Sequence, residues 1–110
     1  MRFYPQDLGV AGQLKDNGEL VSRLLSTETK GYLLALFRKN PGLIDTLEGV
    51  SRRIGMNSES IRRDVNDLVE IGILSKKKVG NNEVVSLNRE KDREIQKRVR
   101  RYIMGLKKSG

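Results

Sequence analysis

The chain contains no cysteine and no histidine. Disulfides are therefore excluded. Thiolate and imidazole metal sites are excluded with them, so only oxygen ligands would remain for a cation, and no metal or cofactor is expected. The side chain used most often for general acid–base catalysis is missing as well. Nucleophile–base pairs built on Cys or His cannot exist, and no Gly-rich phosphate loop is present, so an enzyme is not expected. Tryptophan is absent and proline occurs only twice, at Pro5 and Pro41. No apolar run approaches the ~18 residues of a membrane span. The longest, Tyr32-Leu33-Leu34-Ala35-Leu36-Phe37, reads as a core helix segment. The first ten residues, MRFYPQDLGV, hold no signal-peptide apolar region, which makes the cytoplasm the expected location and gives no membrane partner.

What is present is charge. One third of the 110 residues are charged, and the net charge is +8. Residues 1–50 hold six Lys/Arg and six Asp/Glu, whereas residues 51–110 hold sixteen against eight. A charge confined to one part of a chain suggests a surface that faces a polyanion. A soluble basic protein whose charges simply face water gives the same totals. The length fits one domain with a small core.

Residues 1–15 are weakly patterned: Phe3, Tyr4 and Leu8 follow no period, and Pro5, Gly9 and Gly12 interrupt any helix. They read as an arm. Asp16 followed by Glu19 reads as a capping box opening a helix over 16–25, with Leu20, Val21, Leu24 and Leu25 on one face. Ser26-Thr27 can cap a second helix from Glu28. It carries Leu33, Leu34, Leu36 and Phe37 and stops at Asn40-Pro41-Gly42, because proline cannot continue it. Leu43-Ile44 is a short extended pair. Asp45, with Glu48, reads as the cap of a third helix in which Leu47, Val50 and Ile54 share a face. Ser51 is small enough there for a neighbour to approach closely. Gly55 fits a left-handed stop, and Met56-Asn57 a tight turn with Asn57 as the next cap.

In the following helix Ile61, Val65 and Leu68 point one way at helical spacing, leaving Glu59, Arg62, Arg63, Asn66 and Glu70 opposite. Gly72 ends it. The segment SKKKVGNNEVVSLN then alternates around Gly80-Asn81-Asn82, as a β-hairpin does. From Asn88 to about Lys107 the chain is helical again, with Ile95, Val99, Tyr102 and Leu106 spaced as a heptad fragment. Acidic residues precede basic ones along it, which suits the helix dipole. The heptad either packs on its own domain or pairs with a second copy, and the dimer is the favoured reading.

Three stretches together resemble the winged helix-turn-helix regulators of the broad ArsR-like and MarR-like type. LLSTETKGYLLALFRKNPG is similar to the first core helix, LEGVSRRIGMNSESIRRDVNDLVEIGIL to the helix-turn-helix, and SKKKVGNNEVVSLN to the wing. The resemblance runs from Leu24 to Asn88. It implies a mainly α fold with a small β-hairpin: a three-helix core plus wing over 26–88, flanked by N- and C-terminal helices, the latter over 89–110. It also implies sequence-specific binding of double-stranded DNA, usually as a homodimer on a palindromic site. By position, Ser58, Glu59, Arg62, Arg63 and Asn66 would read bases. Lys76, Lys77 and Lys78, with Arg52 and Arg53, would contact phosphates. Ile95, Val99, Tyr102 and Leu106 would form the dimer seam. The metal-sensing branch of these regulators relies on Cys or His, which this chain lacks.

Each assignment has a plainer rival. Arg63 could pair with Asp67 four residues on, a surface interaction worth only ~0.2–0.5 kcal/mol. Glu59 could be a first-turn acid favoured by the dipole. The strand's alternation means that its three lysines cannot all face one way. An RNA-binding or ribosome-associated winged helix would use the same basic face without reading a major groove. A protein-interaction winged helix would need no nucleic acid.

Overall fold

The structure is a computed structural model and describes residues 16–109, with side chains to residue 106. The arm expected over 1–15 lies outside the described residues. Residues 16–24 are helical and form α1. They are followed by α2 (Glu28–Lys39), β1 (Ile44–Thr46), α3 (Leu47–Ile54), α4 (Ser58–Ile71), β2 (Leu74–Val79), β3 (Asn82–Leu87) and α5 (Arg89–Ser109). Asp16, expected as the cap of this helix, is itself helical.

Local chemistry sets most boundaries. Thr27 caps α2: its hydroxyl accepts the Lys30 N–H at 3.1 Å. Asn57 caps α4, its Oδ1 accepting the Glu59 N–H at 2.7 Å. Each satisfies a donor that the first helical turn leaves unpaired. α3 ends on Gly55 at φ 68. There the Met56 N–H donates to the Ser51 carbonyl and the Gly55 N–H to that of Arg52, the paired bonds of a Schellman stop. One expected cap is corrected. Thr46, not Asp45, caps α3, with its hydroxyl accepting the Gly49 N–H at 3.1 Å. Asp45 is held in β1, and its carboxylate turns instead to the Thr46 N–H and to Arg53. Glycine at 49 permits this, since a Cβ there would overlap the Asp45 carboxylate.

The expected two-stranded wing is part of a three-stranded antiparallel sheet in the order β1-β3-β2. Ile44, Asp45 and Thr46 pair with Ser86, Val85 and Val84. β2 and β3 are joined by Gly80-Asn81, with Val79 opposite Asn82. Gly80 alone in that turn has positive φ, the requirement of a II′ hairpin turn.

Leu33, Phe37, Val50, Ile61, Val65, Leu68, Ile73 and Ile95 are fully or almost fully buried. They come from α2, α3, α4, the segment just after α4 and α5, so a single core holds the helix-turn-helix against its flanks. Burying side chains of this size contributes about 1.5–3 kcal/mol each. α5 crosses the open side of the bundle. Arg38 on α2 grips the buried Asp92 through Nε at 3.2 Å and Nη2 at 2.8 Å. Arg98 Nε donates to the buried Asn17 at 2.9 Å, and Gly18 leaves room for the Tyr102 ring against α1.

Candidate nucleic-acid interface

The face of α4 opposite the core is open. Glu59, Arg62, Arg63, Asn66 and Glu70 are exposed, and Ser58 is half-buried beside the turn. Among the described residues, neither Arg62 nor Arg63 has a hydrogen-bond or ion-pair partner. The local Arg63–Asp67 pair does not form. Asp67 turns away from the outer face and binds Lys30 and Arg23.

That arrangement belongs to a polar network that the sequence reading missed. Lys30 on α2 is buried; its Nζ donates to the Arg23 carbonyl at 3.0 Å, to Ser26 Oγ at 2.9 Å and to the Asp67 carboxylate. The buried Asp64 accepts from Thr27 Oγ1 at 3.0 Å. Burial acts to raise the Asp67 pKa, but the Lys30 and Arg23 hydrogen bonds and charges outweigh it and hold the carboxyl below its ordinary range. The network fixes the α4 helix to the α1–α2 corner, so the direction in which Arg62 and Arg63 point is set by rigid elements. A signal for it existed. Lys30 falls in phase with Leu33, Leu34 and Phe37, and Asp64 sits beside Val65 on the inner face. A charge on an inward stripe requires a partner.

The hairpin divides its lysines as alternation requires. Lys76 lies opposite the buried Val85 and Lys78 opposite Glu83, on the face toward α4; Lys77, opposite Val84, is on the other. Lys76 is engaged: its Nζ donates to Asn66 Oδ1 and lies 3.4 Å from Glu83. Lys77 and Lys78 are exposed and form no ion pair among the described residues. Arg62 and Lys76 line a hollow of about 220 Å³ between α4, the start of α3 and the wing turn.

The two arginines of α3 also differ. Arg53 Nε donates to Asp45 at 2.9 Å, and this bond, helped by the Thr46 N–H, holds the Asp45 carboxyl below its usual range against the opposing effect of burial. Arg52 is exposed with no ion pair among the described residues. The heptad fragment is likewise divided. Ile95 is spent in the core of its own chain, Val99 packs against that core and Tyr102 against α1. Leu106 is exposed, near the likewise exposed Ile103 and Met104. Of the four positions expected to form a seam, Ile95 is therefore committed to the core of its own chain and Leu106 is exposed.

No group of acidic residues among the described residues could hold a metal ion, and no helix among them is long and apolar enough to cross a membrane. No protein-family model matches the chain, and no curated protein matches it in sequence. Its fold does have solved neighbours. A possible transcriptional regulator from Methanosarcina mazei superposes with a TM-score of 0.57 at 17% identity, over 84% of this chain and 83% of the other. NadR, solved in complex with 4-hydroxyphenylacetate, gives 0.51 at 16% identity over 100% and 84%. With five helices and a small three-stranded antiparallel sheet among the described residues, and a capped turn between α3 and α4, the chain shares the winged helix-turn-helix fold of these two structures.

Proposed function

We propose that this protein is a transcriptional regulator that binds double-stranded DNA sequence-specifically, placing α4 in the major groove and the wing on the phosphate backbone. The observation that carries the reading is the pair Arg62 and Arg63. They are exposed, unpaired and held outward on a helix whose neighbouring charges at Asp64 and Asp67 are engaged elsewhere. An unpaired guanidinium keeps its planar fork free for guanine O6 and N7, a contact worth ~1–3 kcal/mol of discrimination. Ser58 and Glu59 stand at the helix start, where base edges come first. Asn66 adds a carboxamide farther along. Lys77, Lys78 and Arg52 supply phosphate contacts, which give affinity rather than sequence choice.

The protein acts in the cytoplasm as a homodimer and catalyses no reaction. Leu106, with the neighbouring Ile103 and Met104, offers the apolar surface for the second copy.

Selection from a random duplex library, followed by a salt series on the selected site, tests this reading. The wild type should enrich a defined site, and Arg62→Ala/Arg63→Ala should abolish the enrichment. Absence of duplex binding at low salt refutes it, and so does a preference for single-stranded RNA. Sedimentation of the full chain beside Leu106→Glu tests the dimer. Two monomers would remove that part.

A further inference from the structure

The charge of this molecule is not where its helix-turn-helix is. Residues 46–88, which contain α3, α4 and the whole wing, carry seven Lys/Arg against six Asp/Glu. Residues 89–110 carry nine against three, so six of the eight net charges belong to α5 and its end. After Glu94 the chain holds no further acid, while Lys97, Arg98, Arg100, Arg101, Lys107 and Lys108 follow.

Three of these cations and Arg93 are ordered by the helix into one surface. At 100° per residue, Ile95, Val99 and Tyr102 define the inner side, and they pack on the core and on α1. Arg93, Lys97, Arg100 and Arg101 fall on the opposite side and are exposed. None of the four has a hydrogen-bond or ion-pair partner among the described residues. The outcome is a cationic band about 100° wide, about 12 Å long from residue 93 to 101 at 1.5 Å per residue.

We propose that this stripe is a second nucleic-acid surface, distinct from α4, which binds the phosphate backbone of a duplex without reading sequence. One duplex strand offers a phosphate about every 3.4 Å along the axis, so a band about 12 Å long spans about four of them. Arginine matches phosphate with a planar fork, and three of the four cations are arginines. The opposite side of α5 is apolar but is largely packed against the domain, so only its outer end could enter a bilayer. That disfavours a lipid surface. The stripe also accounts for charge that the near-neutral helix-turn-helix leaves unexplained. It does not depend on sequence reading by α4.

The test is binding to random-sequence duplex across 50–200 mM salt, measured by anisotropy on the full chain. Arg93→Gln/Lys97→Gln/Arg100→Gln/Arg101→Gln should lower the slope of log K against log salt by about 3.6, since each phosphate neutralised adds about 0.9 to it. The weakening should be equal on every sequence. The same four positions as lysine should keep the slope. Circular dichroism and the thermal midpoint verify that the variant folds, because none of these side chains is buried.

An unchanged slope in the folded glutamine variant overturns the proposal. So does α5-dependent capture by phosphatidylserine vesicles with no duplex binding. The two surfaces are separable. If Arg62→Ala/Arg63→Ala changes nothing but the α5 variant lowers the slope, sequence reading by α4 fails and the stripe stands. If a selected site depends on α4 while the α5 variant keeps the full slope, the stripe fails alone.

Discussion

Replacing Lys30 by methionine keeps most of the side-chain volume and deletes the ammonium that joins three elements. The Lys30 side chain is only 6% exposed, and it has three acceptors, one of them the Asp67 carboxylate. Removing one partner of a buried ion pair costs about 3–5 kcal/mol, because the other charge stays desolvated. Two features reduce that here. The Asp67 side chain retains 23% exposure, and Arg23 remains as its partner. The expected loss is therefore about 2–3 kcal/mol. With an unfolding entropy of about 2.1 cal/mol/K per residue, the midpoint should fall by about 9–13 °C. Urea unfolding followed by circular dichroism measures the loss, and an unchanged m-value shows that the denatured state is not the cause. Adding Asp67→Leu should restore part of the stability, since the stranded carboxylate is then gone. A loss below about 0.5 kcal/mol, the range of ordinary surface substitutions, would refute the argument. A double variant no better than the single would do the same.

The folded pKa of Asp67 is depressed, so its contribution is present above the unfolded value of about 4 and is lost as pH falls through the folded one. Asp67→Asn should therefore be less stable at neutral pH and should flatten the fall in stability between about pH 5 and 2, measured by urea titration. Gly72 sits at φ 106, and a Cβ there would lie 2.9 Å from Lys91 Cγ. Gly72→Ala should destabilise by about 1–2 kcal/mol, and a neutral result in chemical denaturation would contradict the geometry. Lys76 holds Asn66 Oδ1 as an acceptor, and the amide N–H groups have no partner among the described residues. In library selection, Lys76→Met should shift the base preferred at the Asn66 position toward adenine, which needs that oxygen; identical selected sites would exclude the effect.

The helices were legible because their punctuation is local. Thr27, Asn57, Gly55 and Gly72 act within a turn of where they stand, and Ile61, Val65 and Leu68 declare their face by spacing alone. At the Asp45-Thr46 boundary two good caps are adjacent, and only the fold shows that the Asp45 carboxylate goes to Arg53 while Thr46 caps the helix. β1 has three residues, too few for alternation to show, so the extended Leu43-Ile44 pair gave no sign that the chain there joins the wing as a third strand. The outward direction of Arg62 and Arg63 came with the helical period. Their lack of partners did not, because it depends on Asp67 being taken by residues 37 and 44 positions away. The same limit applies to α5. Spacing at 95, 99, 102 and 106 identifies an apolar seam but cannot say whose surface fills it.

The joining of α1 to α5 has a kinetic consequence. The Arg98–Asn17 bond closes a separation of 81 residues and Arg38–Asp92 one of 54, whereas β2 and β3 meet across a two-residue turn, Gly80-Asn81. Pairings of long separation are the slowest to form, because the entropy of the intervening loop must be given up first. The hairpin and helix-turn-helix should therefore form early, and the α1–α5 layer should dock after the rate-limiting barrier. In stopped-flow experiments, weakening that layer at Asn17 or Tyr102 should speed unfolding and leave the refolding rate nearly unchanged. The two flanking helices would then act as a latch, governing how long the domain stays folded rather than how quickly it gets there.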